Sequence, residues 1–108
     1  IEYFLQHHWP YLRSIGAPII ASIAGKSRED FIESAKMMQE AQGLTALELN
    51  VSCPNVAGGI DFGTDPRACF DVVSGIRAAV EIPLITKLTP NVTSIASIAK
   101  AAQEAGSD

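Results

Sequence analysis

Residues 46–66, ALELNVSCPNVAGGIDFGTDP, change character twice. The first part, ALELNVS (46–52), reads as a short buried strand. At Cys53 and Pro54 it breaks into a run holding two asparagines with Asn50, three glycines and two acids. Asp65 and Pro66 then open a helix, the aspartate as its cap and the proline at the first helical position, where a missing N–H costs nothing. Val72, Val73, Ile76, Ala79 and Val80 supply the buried stripe of that helix. A strand that ends on polar and reactive side chains and leads into a helix is a βα unit with its loop at the strand's carboxyl end.

The same pattern recurs on both sides. Upstream, APIIASIAG (17–25) is an apolar run bounded by proline and glycine, which predicts a strand buried on both faces. Ser27 and Asp30 form a capping-box pattern ahead of Phe31, Ile32, Ala35, Met38 and Ala41, with Gly43 as a stop. Downstream, IPLITKLTP (82–90) predicts a third strand, and a helix begins at Thr93 with Ile95, Ile98, Ala99 and Ala102 inward and Gly106 at its end. Before all of these, residues 2–15 predict one or two short helical turns interrupted by Pro10. Strands alternating with amphipathic helices imply an α/β fold of parallel βα units with right-handed crossovers, as in a TIM barrel or a doubly wound sheet. No internal domain boundary is visible. The chain starts at Ile1 and stops on AGSD where another strand is due, so it reads as an incomplete part, 1–108, of one domain.

Composition narrows the function classes. With 47% hydrophobic residues and a net charge of −4, from 8 Lys+Arg against 12 Asp+Glu, the chain is a globular segment without the concentrated positive charge that nucleic acid or anionic lipid demands. Its apolar runs are far shorter than the roughly 20 residues of a membrane span, and IEYFLQHHWP lacks a signal-peptide layout, so a cytoplasmic protein is expected. Cys53 and Cys69 fall in a loop and a helix and are read as free thiols, Cys69 as packing. His7 and His8 have no partner at metal-ligand spacing, and no metal site is expected.

Ligands of both candidate architectures gather beyond the carboxyl ends of the strands, where Asn50, Ser52, Cys53, Asn55 and Lys87 stand. A cysteine there serves as nucleophile or base once its thiolate is favoured, although a cysteine after a strand is more often a small buried hydrophobe. Two asparagine amides suit a ligand with alternating carbonyl and N–H groups, although asparagine and glycine runs also simply make turns. Lys87 within an apolar strand is harder to assign to packing, because lysine is rarely buried without a partner. It suits the stabilisation of negative charge developing on a cofactor. Asp61, Thr64 and Asp65 read as turn and cap residues. The loop Pro54–Thr64, with Gly58, Gly59 and Gly63, has the composition of a lid.

The segments ELNVSCPN, DFGTDP and KLTPNVT, with PIIASIAG and IAKAAQEAG, resemble the class 1 dihydroorotate dehydrogenases, especially the branch that passes electrons to NAD. The resemblance spans essentially the whole chain. It implies about three central βα units of an eight-stranded (β/α) barrel that holds FMN at the strands' carboxyl ends. It implies oxidation of dihydroorotate to orotate in pyrimidine biosynthesis, with Cys53 taking the proton from C5 while hydride leaves C6 for the flavin. By motif position Asn50 contacts substrate and flavin, Asn55 binds substrate, Lys87 lies against the flavin, and Ser22 stands where that branch commonly has a flavin-contacting asparagine. The family's upstream lysine and downstream phosphate site fall outside these residues. The partners implied are an iron–sulfur and FAD electron-transfer subunit and further copies of the chain, as a homo-oligomer or heteromer.

A related family, the pyrimidine-reducing domain of dihydropyrimidine dehydrogenase, shares the barrel, FMN, the cysteine and a KLTPNVT segment, and reduces uracil or thymine. It tends to have histidine where this chain has Asn55 and lacks DFGTDP, so the resemblance favours dihydroorotate. A third reading is a non-catalytic barrel fragment with exposed apolar strand edges.

Overall fold

The computed structural model describes residues 1–53 and 61–108. The order of elements is α1 (Glu2–His7), α2 (Trp9–Ser14), β1 (Ile20–Ile23), α3 (Arg28–Gln39), β2 (Ala46–Asn50), α4 (Pro66–Ala79), β3 (Leu84–Lys87) and α5 (Ile95–Glu104). The three strands form one parallel sheet in the order β1-β2-β3. Helix α4 packs against both α3 and α5, so the three crossover helices form one layer over one sheet face. Consecutive parallel strands with their helices on a single face wind in one direction, without the reversal that marks a doubly wound sheet.

Local signals explain where the helices begin. Ser27 Oγ accepts from Asp30 N at 3.1 Å while Asp30 Oδ2 accepts from Ser27 N at 3.2 Å, a complete capping box on α3. Asp65 Oδ1 accepts from Arg67 N at 2.9 Å with Pro66 opening α4. The core between sheet and helices holds Phe31, Leu47, Leu49, Val72, Ile76 and Leu84, among others. Beyond α5, Asp108 sits against the start of β3, its N–H donating to Leu84 O at 2.9 Å and its carboxylate accepting from Leu84 N at 3.0 Å. Among the described residues, no helix is long and apolar enough to cross a membrane.

Several expectations are corrected. The run 17–25 supplies a strand only over Ile20–Ile23, and it is not buried on both faces, since Ile20 is 54% exposed. The helices cover one face only, and β1 stands at the edge of the sheet. Helix α5 is capped by Ser94 rather than started at Thr93, and its buried stripe differs from the expected one because the layer it packs on decides which face turns inward: Ile98, Ala101 and Ala102 are buried while Ile95 and Ala99 face out. Pro10 does not interrupt a helix; it sits in the first turn of α2, and the break falls at His8. The lid expectation lies largely on residues 54–60, outside the described residues. Its described glycine, Gly63, is not loose. It is buried, and a Cβ there would collide with the Val51 carbonyl oxygen. Phe62 beside it meets Phe31 edge-on, with ring centroids 5.6 Å apart, which pins the entry to α4 onto the core.

Candidate active site

Strand alternation divides β2 into two sets of side chains. Leu47 and Leu49 are fully buried toward the helices, so Glu48 and Asn50 point to the opposite face. Register carries the division across the sheet. Ser22 pairs with Glu48, Glu48 with Ile85, and Asn50 with Lys87, so all five lie on one face. No helix of the described chain covers that face, and its polar groups collect toward the carboxyl ends of the strands.

At the end of β2 the Asn50 side chain shapes the turn. Its Oδ1 accepts from Ser52 N at 3.3 Å and from Ser52 Oγ at 2.5 Å, while its Nδ2 donates to Cys53 Sγ at 3.4 Å. A short amide bonding two residues ahead bends the backbone out of the strand. The same amide turns the exposed Cys53 thiol back toward the strand end. Cys69 behaves in the opposite way. It is completely buried in α4, and desolvation pushes its thiol up to about 11.

On the bare face, Glu48 Oε1 accepts from Ser22 Oγ at 2.7 Å and pairs with Lys87 Nζ at 3.3 Å. The Ser22 hydroxyl, with Lys87 behind it, holds the Glu48 carboxyl below its ordinary value against the opposing effect of partial burial. Beside the strand ends, Ser52, Asp61, Thr64, Thr89 and Asn91 line a cavity of about 240 Å³. Asp61 Oδ1 accepts from Gly63 N at 3.1 Å and Thr89 Oγ1 from Asn91 N at 3.2 Å, so both loops at its rim are closed by their own side chains.

The structure therefore brings Asn50, Cys53 and Lys87 to one end of one sheet, with Ser22 joined to Lys87 through Glu48. Asn55 lies outside the described residues. Sequence reasoning missed Glu48, although the alternation of ALELN already places it on the face of Asn50. It also missed Thr89 and Asn91, whose place beside Ser52 depends on how β3 is laid against β2.

Comparison with known proteins is consistent along the entire chain. The family model described as dihydroorotate dehydrogenase matches residues 1–108. The chain is 44% identical to the catalytic subunit of dihydroorotate dehydrogenase B (NAD(+)) of Bacillus cytotoxicus, covering 100% of this chain and 35% of that protein. It is 43% identical to the protein of the same name from Geotalea uraniireducens, over 100% of this chain and 36% of the other. The corresponding Listeria welshimeri protein is 41% identical with the same 100% and 36% coverage. The chain thus spans about a third of the length of the curated relatives it matches. By its match over every residue, the chain belongs to the dihydroorotate dehydrogenase family.

Proposed function

We propose that the protein oxidises dihydroorotate to orotate in pyrimidine biosynthesis, and that residues 1–108 form part of a single (β/α)8 barrel domain working in the cytoplasm. The observation that carries this reading is the strand end of β2, where Asn50 Nδ2 holds the Cys53 thiol at 3.4 Å on the sheet end that Lys87 shares. Singly wound βα units with one bare sheet face support the barrel, because a barrel lining is the arrangement in which such a face is filled by the remaining strands.

The residues present fit a flavin ring. A flat ring with alternating carbonyl and N–H groups finds, toward the carboxyl ends of the strands, an ammonium at Lys87, a hydroxyl at Ser22 and an amide at Asn50. FMN, when bound, supplies the acceptor for the hydride that leaves C6 of the substrate. Cys53 takes the proton from C5, so that the C5–C6 double bond of orotate forms. Asn50 and Asn55 hold the pyrimidine ring by its amide edges. Lys87 offers positive charge where electron density arrives. The relatives are named as catalytic subunits, which supports a second subunit; an iron–sulfur and FAD protein accepting the electrons for NAD fits that role.

The test is anaerobic titration of the intact, flavin-bearing protein with dihydroorotate, beside a Cys53→Ala variant. The flavin absorbance of the parent should bleach rapidly and that of the variant at least about 100-fold more slowly. A parent flavin that stays oxidised with dihydroorotate but is reoxidised by uracil after chemical reduction would overturn the assignment. Equal bleaching rates in parent and variant would remove Cys53 as base.

A further inference from the structure

Glu48 has no place in the chemistry above, yet it occupies the middle of the bare face. A carboxylate in the central strand of a sheet gains little as a packing group. A hydrophobe is the more usual occupant of such a position, as Ile85 is at the same register on β3. Nor does its ion pair justify it as a source of stability. With side chains 47% and 26% exposed, the Lys87–Glu48 pair is too well solvated to add more than a small part of the fold's stability. What the geometry provides is direction. Ser22 lies in register with Glu48 on one side and donates to Oε1 at 2.7 Å, which fixes the carboxylate. Lys87 lies two residues further along the other neighbour than Ile85, opposite Asn50, and its Nζ reaches the same oxygen at 3.3 Å. A lysine has four rotatable carbons and an ammonium without preferred direction. A carboxylate pinned from the far side removes much of that freedom.

We infer that Glu48 is a positioning residue, which through Ser22 anchors the Lys87 ammonium on the bare sheet face and so sets where positive charge is presented to the bound flavin. The inference rests on the proposed reading of that face as the flavin side. Glu48 acts on Lys87 in two opposed ways that can be separated. As an anchor it keeps the ammonium in place and favours the reduced, more negative flavin. As a bare negative charge near the flavin it disfavours that form.

The experiment is redox-dye titration of the intact flavoprotein, comparing Glu48→Gln, Glu48→Asp, Lys87→Met and the double variant Glu48→Gln/Lys87→Met. If Glu48 positions Lys87, Glu48→Gln lowers the flavin midpoint potential by about a tenfold loss in stabilisation of the reduced form, or about 30 mV for a two-electron couple. Glu48→Asp, with its charge kept but its reach shortened by one methylene, moves the potential in the same direction and serves where the glutamine variant fails to fold. In the Lys87→Met background Glu48→Gln no longer lowers the potential, because anchoring needs the ammonium; only the loss of the bare charge remains, which leaves the potential unchanged or raises it. A raised potential in Glu48→Gln, an unchanged one in Glu48→Asp, or effects that multiply in the double variant would overturn the inference. Dihydroorotate is added to each sample separately. A parent whose flavin it does not bleach, yet whose potential shows the Glu48–Lys87 coupling, loses the proposed substrate and keeps the positioning role.

Discussion

Two cysteines carry the same atom into opposite surroundings. Cys53 is exposed at a strand end, while Cys69 is sealed among the core side chains of α4. A thiol reagent at neutral pH should therefore modify Cys53 in the native protein and reach Cys69 only on unfolding, as peptide mass spectrometry would report. Equal native labelling of both would contradict the packing of α4. Burial also makes Cys69 a pH-sensitive element. Its folded value, about 11, stands above the ordinary 9.0, so the unfolded chain loses that proton first. The stabilisation is fully present below about pH 9 and is lost as pH rises through 11, amounting to about 3 kcal/mol in the limit. Denaturant midpoints measured from pH 8 to 11 should fall less steeply in Cys69→Ala than in the parent, although the variant starts lower. At this scale Cys53 and Lys87 were legible because reactive and charged groups stand out in apolar strands. Glu48 was not, because a lone carboxylate in a strand usually faces water, and only the register of three strands shows what it meets.

Helix starts were legible for a different reason. The bonds that begin α3 and α4 span two or three residues, so Ser27, Asp30, Asp65 and Pro66 announce them in sequence. Strand extent and helix rotation depend on distant neighbours. Thus β1 is shorter than its apolar run, and the buried stripe of α5 runs through Ala101 rather than through Ile95 and Ala99. Replacing Ser27 with Ala should cost about 1 kcal/mol, the ordinary value of an N-cap, without affecting Cys53. Gly63→Ala is expected to behave otherwise. Its new methyl meets the Val51 carbonyl oxygen two residues before Cys53, so α4's entry and the β2 end must separate. Urea unfolding should register a loss of about 1–3 kcal/mol, and the alkylation rate of Cys53 should change with it. A stability loss with unaltered Cys53 reactivity would mean the strain is absorbed on the α4 side alone.

On the scale of the molecule, what lies against the bare sheet face decides the architecture. Ile85 is 41% exposed in these residues and stands between Glu48 of β2 and the outer edge of β3. If the face is the lining of a closed barrel in the intact protein, Ile85 is interior there, despite its exposure to solvent in the 108-residue chain. The substitution Ile85→Lys separates the two cases. In a barrel lining it forces an ammonium into a packed interior and should destabilise the intact protein by at least about 2 kcal/mol. On a solvent-facing sheet the same change stays within about 0.5 kcal/mol, the usual range for surface positions. Phe70 provides the control. It is 44% exposed on α4, a helix of the outer layer, so Phe70→Lys should be the milder change if the helices form the outside of the barrel. Urea midpoints of the parent and both variants decide it. A tolerated Ile85→Lys beside a damaging Phe70→Lys would turn the architecture inside out, placing the helices within an assembly and the site face toward solvent.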